Sequence, residues 1–449
     1  MKLYDTLPNI IESEIKMANA NSMIDIHKGE YLLLHNNINI KVEGRIYFCW
    51  FPSPSVYFSG ILTSKNLEIT EIIDSAESFT IIVNELEFGE GLITNTTISN
   101  NGDLKIKGIS PHQSVLGDKT ISVEKITFCI PNLRNFFGDS VKKISQKSKY
   151  SGRNRIKLEN EKYNILIDKS ITYGTLRDEL KENGGYHILY NGEITSKKKT
   201  ITFEELNDVF HCLDTFMTFL NGTRVCALFA TGYFENKAIW TNYSYHHVDI
   251  FKYYPSWPQD FSIIGIEDIW VNFSNLWKDK ENKDFLTSVV HWYVEANKNS
   301  GFVEGAIIIS QTALELLYNW WVIENKKIIL GKDSENLNAS NKIRLLLSQL
   351  NLDYSVPKEF KNLQEFVDSD NQILDACDAV VQIRNAIVHS QEEKRKKLRS
   401  ISLIAKYEAL QLCTWYIEIA LLGILGYSDK YYNRISKLEE FVPWFKKIE

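Results

Sequence analysis

The residues best placed to do chemistry together lie in one short run, Arg384-Asn385-Ala386-Ile387-Val388-His389, inside NQILDACDAVVQIRNAIVH, residues 371–389. Histidine exchanges a proton near neutral pH, and arginine carries a permanent, planar set of donors suited to an oxyanion. Read as a helix, the segment places Asn371, Asp375, Asp378, Gln382, Asn385 and His389 on one polar stripe, with an apolar arc opposite that includes Cys377, Val380, Ile383 and Val388. Arg384 projects from within the apolar arc. A guanidinium cannot lose its charge there, so it needs a carboxylate, a phosphate or a route to water. On an ideal helix Arg384 and His389 stand about 140° apart. They converge only if the helix ends near Ser390, if the arginine curls, or if a second copy of the chain completes the site.

A partner for Arg384 stands earlier in the chain. The segment GFVEGAIIISQTALELLYNWWVI is apolar almost all round except for Glu304, Gln311 and Glu315, which cluster within about 40° on a helical wheel, with Asn319 beside them. Two arrangements satisfy this pattern: a buried structural Arg–Glu pair, and an anion site in which Arg384 is held to bind phosphate. His389 taken alone reads equally as a solvated surface histidine.

The run SQEEKRKKLR after His389 carries Lys394, Arg395, Lys396 and Lys397, either a solvated connection between helices or a contact for an RNA backbone. The stretch 142–157 (with Lys142, Lys143, Lys147, Lys149, Arg153, Arg155 and Lys157) reads as a flexible basic loop, a linker or a second nucleic-acid contact. Lys197-Lys198-Lys199 reads as solubilising. Of His246-His247-Val248-Asp249 only His247 and Asp249 share a strand face, and two ligands are too few for a metal, so none is expected. The aromatic-rich region 233–261 reads as core and domain interface rather than a stacking platform for bases. No P-loop, G-x-G-x-x-G, H-E-x-x-H or G-x-S-x-G occurs, which leaves NTPase, dinucleotide, zincin and serine-hydrolase readings without support.

The elements that must position these residues change character midway. Runs such as YLLLHNNINIKVEGRIYFCWF, SFTIIVNELEF, LKIKGIS, ISVEKITFCI, YNILIDKSITY, GYHILYNGEI and RVCALFA are strand-like, separated by turn pairs such as Asn101-Gly102 and Asn191-Gly192. One helix, Phe203 to Leu220, interrupts them. The prolines of Tyr253-Tyr254-Pro255-Ser256-Trp257-Pro258 mark a junction. Beyond it, helices are expected at 267–279, 282–298, 301–325, 339–351, 371–389 and 398–427. The expected fold is therefore α+β: a β-rich, sandwich-like half over 1–260, with two lobes divided near 142–157, then an all-α bundle over 261–449.

Composition bounds the rest. The chain has 449 residues, 44% of them hydrophobic, and a net charge of −6, which argues against a blanket electrostatic nucleic-acid binder. Six scattered cysteines with no CxxC read as reduced thiols. The N-terminus lacks the apolar stretch of a signal peptide, and Gly305–Ile323 and Leu412–Tyr427 are interrupted by polar residues, so both read as buried helices. A soluble cytoplasmic protein with no membrane partner is expected.

The motif R-N-x-x-x-H, late in a long helix, preceded by a helix with Ala313-Leu314-Glu315 and followed by a long apolar helix, resembles the HEPN ribonucleases. The β-rich start and the strand ISVEKITFCIPNLRNFFG, residues 121–138, ahead of such a bundle are similar to the ApeA-type anti-phage proteins. The resemblance implies a metal- and cofactor-independent RNA endonuclease that acts at the interface of a homodimer or larger homo-oligomer, with tRNA as a family-level substrate. It further implies an abortive-infection effector restrained until a phage-derived trigger arrives. His389 would exchange a proton with the 2′-OH or the leaving oxygen, Arg384 would face the phosphate, Asn385 would orient one of them, and Glu315 would position Arg384. Lys394, Arg395, Lys396 and Lys397 would hold the RNA backbone. The alternative from another class is a non-catalytic HEPN module that binds RNA or protein, with Arg384 and Glu315 as a structural pair.

Overall fold

Alternation of large apolar and polar residues along Ile24–His35 (β1) and Ile38–Cys49 (β2) turns Tyr31, Leu33, Ile40, Val42, Ile46 and Phe48 to one face, where all are buried. In the computed structural model, which describes residues 6–63, 67–99, 102–144, 149–258, 265–389 and 391–445, that face lines a closed antiparallel barrel. Ser55–Leu62 (β3), Phe79–Val83 (β4), Leu86–Ile98 (β5) and Leu104–Ser110 (β6) complete it in the order β1-β2-β3-β6-β5-β4. A short helix, Leu67–Ser75 (α1), joins β3 to β4. Closure removes every exposed sheet edge. The sandwich expected from sequence is thus a barrel. Alternation is common to both, and only long-range pairing separates them.

The same unit continues into an eight-stranded antiparallel sheet. Its strands are Val115–Gly117 (β7), Lys125–Pro131 (β8), Asp139–Ile144 (β9), Lys149–Glu159 (β10), Tyr163–Lys169 (β11), Ile188–Ser196 (β12), Leu228–Phe234 (β13) and Lys237–Asn242 (β14), ordered β7-β14-β13-β8-β12-β11-β10-β9. Tyr173–Asn183 (α2), which lies between two runs read as strands and is not expected from sequence to be helical, and Phe203–Asn221 (α3) are helices. Asn191-Gly192 is not a turn but lies inside β12, where Gly192 pairs with Phe128. Asn101 lies outside the described residues. A Cβ on Gly192 would meet Phe128 Cζ at 2.1 Å, and that ring is fully buried against Phe210, with centroids 5.4 Å apart. Gly192→Ala is therefore expected to destabilise the sheet by roughly 1–3 kcal/mol through overpacking, read as a lower urea midpoint at unchanged slope.

The basic stretch 142–157 is not a loop dividing two lobes. Its described residues belong mainly to β9 and β10, the last two strands at one edge of a single sheet, and Lys147 lies outside the described residues. The break in this unit falls between β6 and β7. Most of the charges are matched: Arg155 donates to both Asp168 oxygens at 2.8 and 2.7 Å, Lys157 pairs with Asp139, Lys143 pairs with Glu12, and Arg153 Nε donates to the Gly138 carbonyl at 3.1 Å. Arg155 and Asp168 are buried together, so their pairing is structural. Among the described residues of the stretch, Lys143, Arg155 and Lys157 therefore each face a carboxylate.

Two compact units account for the chain: Met1–Asp214 with Val225–Lys252, and Thr215–Arg224 with Tyr253–Glu449. The expected division at 260/261 lies outside the described residues. Helices of the second unit are Ile266–Leu276 (α4), Lys280–Asn297 (α5), Phe302–Leu317 (α6), Lys332–Asn336 (α7), Ala339–Ser348 (α8), Lys361–Asp368 (α9), Ala376–Val388 (α10), Glu392–Ser400 (α11) and Leu403–Ile424 (α12). A π-helical turn, Tyr318–Asn325, extends α6. The first-turn amides that a helix leaves unpaired set several of these starts: Asp279, Asn338, Asp375 and Ser402 accept from Asn282, Asn341, Asp378 and Ala405. α6 packs on α5, α8, α10 and α12. The unit is not all-α, because Lys430–Asn433 (β15) and Leu438–Phe441 (β16) form a hairpin after α12. The stretch Phe302–Asn325 is long and apolar enough to cross a membrane, yet most of its most apolar part is buried among its neighbours, as in a core helix.

Candidate functional site

The motif helix α10 begins five residues later than the polar stripe suggests. Asp375 is its N-cap, with an extended backbone, so Asn371 does not belong to the helical face. Asp375 and Asp378 are not a solvent stripe either. Arg344 of α8 donates to both Asp375 oxygens at 2.6 and 2.8 Å, lies 2.7 Å from Asp378 Oδ2, and reaches Asn341 Oδ1 at 2.6 Å. These bonds hold the guanidinium pKa above its ordinary value and fasten α8 to the start of α10. Arg344→Ala would leave two carboxylates, each under a fifth exposed, without their cation. A loss of about 2–3 kcal/mol in stability is expected, read by chemical unfolding.

Arg384 and Asn385 sit half-buried in the last turns of α10. The backbone below them is fixed from α6, because Gln311 Nε2 donates to the Val380 carbonyl at 2.6 Å. Arg384 reaches out of the apolar arc into a cleft of about 120 Å³ between α6, α8 and α10, lined also by Gln311, Thr312, Glu315, Lys342 and Ile343. Arg384 Nη1 donates to a neutral acceptor, Asn385 Oδ1, at 3.1 Å. Among the described residues no carboxylate lies within ion-pair distance of Arg384.

Glu315 shares the cleft with Arg384 but does not hold it. Its carboxylate accepts from Lys342 Nζ at 2.7 Å, and Lys342 in turn lies 5.7 Å from the centre of the Tyr318 ring. The structural Arg384–Glu315 pair is replaced by a Lys342–Glu315 pair, since α8 brings a lysine nearer to the acid. Helix spacing in α6 and α10 carries no sign of this third helix. Glu304, the other acid of the stripe, pairs with Lys406 of α12 at 2.7 Å.

His389 lies just past the helix. It is the C-cap residue, with φ −92° and ψ 110°, it is exposed, and its amide donates to the Asn385 carbonyl at 3.0 Å. The helical angle between Arg384 and His389 therefore no longer governs where the imidazole points. His389 is not among the residues of the Arg384 cleft. Ser390 lies outside the described residues.

The basic run after it is a helix, α11, rather than a loop. Lys396 pairs with Glu392 at 2.8 Å and Lys397 with Asp370 at 2.9 Å, while Lys394 and Arg395 remain on the helix beside the motif. His247 Nε2 and Asp249 Oδ1 do approach, at 3.4 Å, and no group of three or more metal-ligating side chains occurs among the described residues. Sequence reasoning missed Lys342 and Arg344. The available signal was their position two apart on a capped helix, opposite an unmatched acid (Glu315) and an acidic N-terminus (Asp375, Asp378).

Comparison with known proteins fits this architecture without assigning a chemistry. Residues 118–254 match the family model described as YopA central domain, and residues 279–446 match that of the YopA C-terminal domain. The first spans most of the eight-stranded sheet and starts just beyond β7; the second spans α5 to the C-terminal hairpin. The chain is 26% identical over 445 residues, 97% of its length and 98% of the relative's, to the SPbeta prophage-derived uncharacterized protein YopA of Bacillus subtilis (strain 168). No solved structure matches the chain.

Proposed function

We propose that the second unit is a HEPN-type endoribonuclease, with Arg384, Asn385 and His389 at its reacting centre. The observation that carries the reading is the half-buried Arg384 guanidinium, which shares its cleft with Glu315 but makes no ion pair with it, because Lys342 engages that acid, and which lies about a turn ahead of an exposed histidine. Such a cation is matched by a phosphate, and the histidine supplies the proton transfer that RNA cleavage needs. The 2′-oxygen attacks the adjacent phosphorus as its proton passes to a base, and the 5′-oxygen leaves as it is protonated. The products are a 2′,3′-cyclic phosphate and a 5′-OH, and the nucleophile is the RNA's own, so no metal-bound water is required. A second copy of the chain, as homodimer or larger oligomer, brings His389 of one protomer to Arg384 of the other. Lys394 and Arg395 on α11 extend the site along the RNA backbone.

The biological role proposed is a cytoplasmic anti-phage effector, with tRNA or another cellular RNA as substrate and a phage-derived trigger. Similarity to a protein described as prophage-derived supports a link to phage. The contrary reading, a binding module built on a structural Arg384–Glu315 pair, loses support because Glu315 is engaged by Lys342. The test is incubation of the purified protein with total cellular RNA in EDTA, with and without phage lysate, and mapping of fragment ends. His389-dependent cuts with cyclic phosphate ends are expected. RNA left intact under a lysate to which cells carrying the protein are resistant would defeat the proposal.

A further inference from the structure

We propose that Lys342 is a second phosphate-binding residue of the Arg384 cleft, and that Glu315 occupies the phosphate position as an internal anion until RNA displaces it. The proposal rests on the nuclease reading for the identity of the ligand, but its geometry stands alone. The cleft holds Arg384 and Lys342 as cations and Glu315 as its one acid. Lys342 is constrained: its side chain is 18% exposed, its ammonium lies over the Tyr318 ring, and it points to the cleft by way of Glu315. Glu315 is the loose member, 58% exposed, and it offers Lys342 one anionic oxygen at 2.7 Å, a contact that a phosphodiester oxygen also makes with an ammonium. A volume of about 120 Å³ has room for a phosphate group, roughly two to three waters in size at about 30 Å³ each.

This assigns Glu315 a role opposite in sign to that implied by the family resemblance. A residue that positions Arg384 aids RNA binding; an internal anion competes with it. When a phosphodiester enters, Glu315 swings to solvent, Lys342 exchanges one oxyanion for another, and Arg384 gains the charged acceptor it lacks. No covalent bond is made or broken: one anion replaces another between the same two cations, so the charge inside the cleft is conserved.

The experiment is fluorescence anisotropy of the full-length protein with a labelled 12-nucleotide 2′-O-methyl RNA, which cannot be cleaved, across a salt series. Glu315→Gln is expected to tighten binding about fivefold or more. Lys342→Met, which keeps the aliphatic stem against Tyr318, is expected to weaken it about tenfold and to reduce the slope of log affinity against log salt by about 0.7, one single-strand phosphate contact. Thermal unfolding of each variant shows that the fold is retained. Weaker binding by Glu315→Gln, or an unchanged salt slope for Lys342→Met in a folded protein, overturns the inference. Binding that follows the expected pattern while native RNA stays uncut keeps the phosphate cleft and defeats only the nuclease reading.

Discussion

On the proposed mechanism, His389→Ala cleaves RNA about 10²- to 10⁴-fold more slowly than the native protein while unfolding at the same temperature. The two halves of that expectation have separate causes. His389 is exposed and follows the last turn of α10, so its side chain carries little packing, and such substitutions shift stability by about 0.5 kcal/mol or less. Its loss removes one proton transfer, which water replaces poorly. Arg384→Lys separates charge from geometry: the cation stays but the planar fork is lost, and about a 10²-fold fall in rate is expected from weaker stabilisation of the phosphate in the transition state. Single-turnover cleavage with saturating protein reads both variants free of binding effects. A His389→Ala protein that cuts at the native rate would remove the histidine from the chemistry.

Glu418→Gln is expected to cost about 3–5 kcal/mol, the largest stability effect in the helical unit. Glu418 and Arg434 are both buried, with Arg434 Nε 2.9 Å from Oε2 and Nη2 2.5 Å from Oε1. Tyr293 donates to the same carboxylate at 2.7 Å, and burial, reinforced by the negative Glu418, pushes its hydroxyl pKa up. Arg434 Nη2 also donates to Asn297 Oδ1 at 3.0 Å, and Asn297 Nδ2 donates to the Gly222 and Pro255 carbonyls at 2.9 Å. The network thus ties the C-terminal hairpin to α5 and α12. Neutralising the acid leaves a guanidinium that can neither ionise away nor reach water. The paired variant Glu418→Leu with Arg434→Met is expected to recover most of the loss, because two charges then leave the interior together. Urea unfolding of the single and double variants measures the difference. Equal losses would show that packing, not charge, sets the cost.

What the sequence by itself determined are features written in local periodicity and local chemistry. The change from strand to helix alphabet near residue 255, the burial of the apolar stretch at Leu412–Tyr427, and the helical setting of Arg384 and Asn385 are present in the structure as read, whereas His389, read as the last residue of the helical polar stripe, lies just beyond the helix. Each depends on residues a few positions apart. Tertiary structure decided whatever depends on partners far along the chain. Alternating strands could close as a barrel or stack as a sandwich, and only the pairing of β1 with β4 selects the barrel. Gly192 resembles a turn until Phe128, sixty-four residues earlier, is seen to fill the space its side chain would take. The basic stretch at 142–157 resembles a loop until Asp168, Asp139 and Glu12 match its charges. Glu315 and Arg384 suit each other by wheel geometry, yet α8 inserts Lys342 beside one and Arg344 beside the acids of α10. A charge takes its partner from whatever helix packing brings within about 4 Å, and a helical wheel holds no information on which third helix that is.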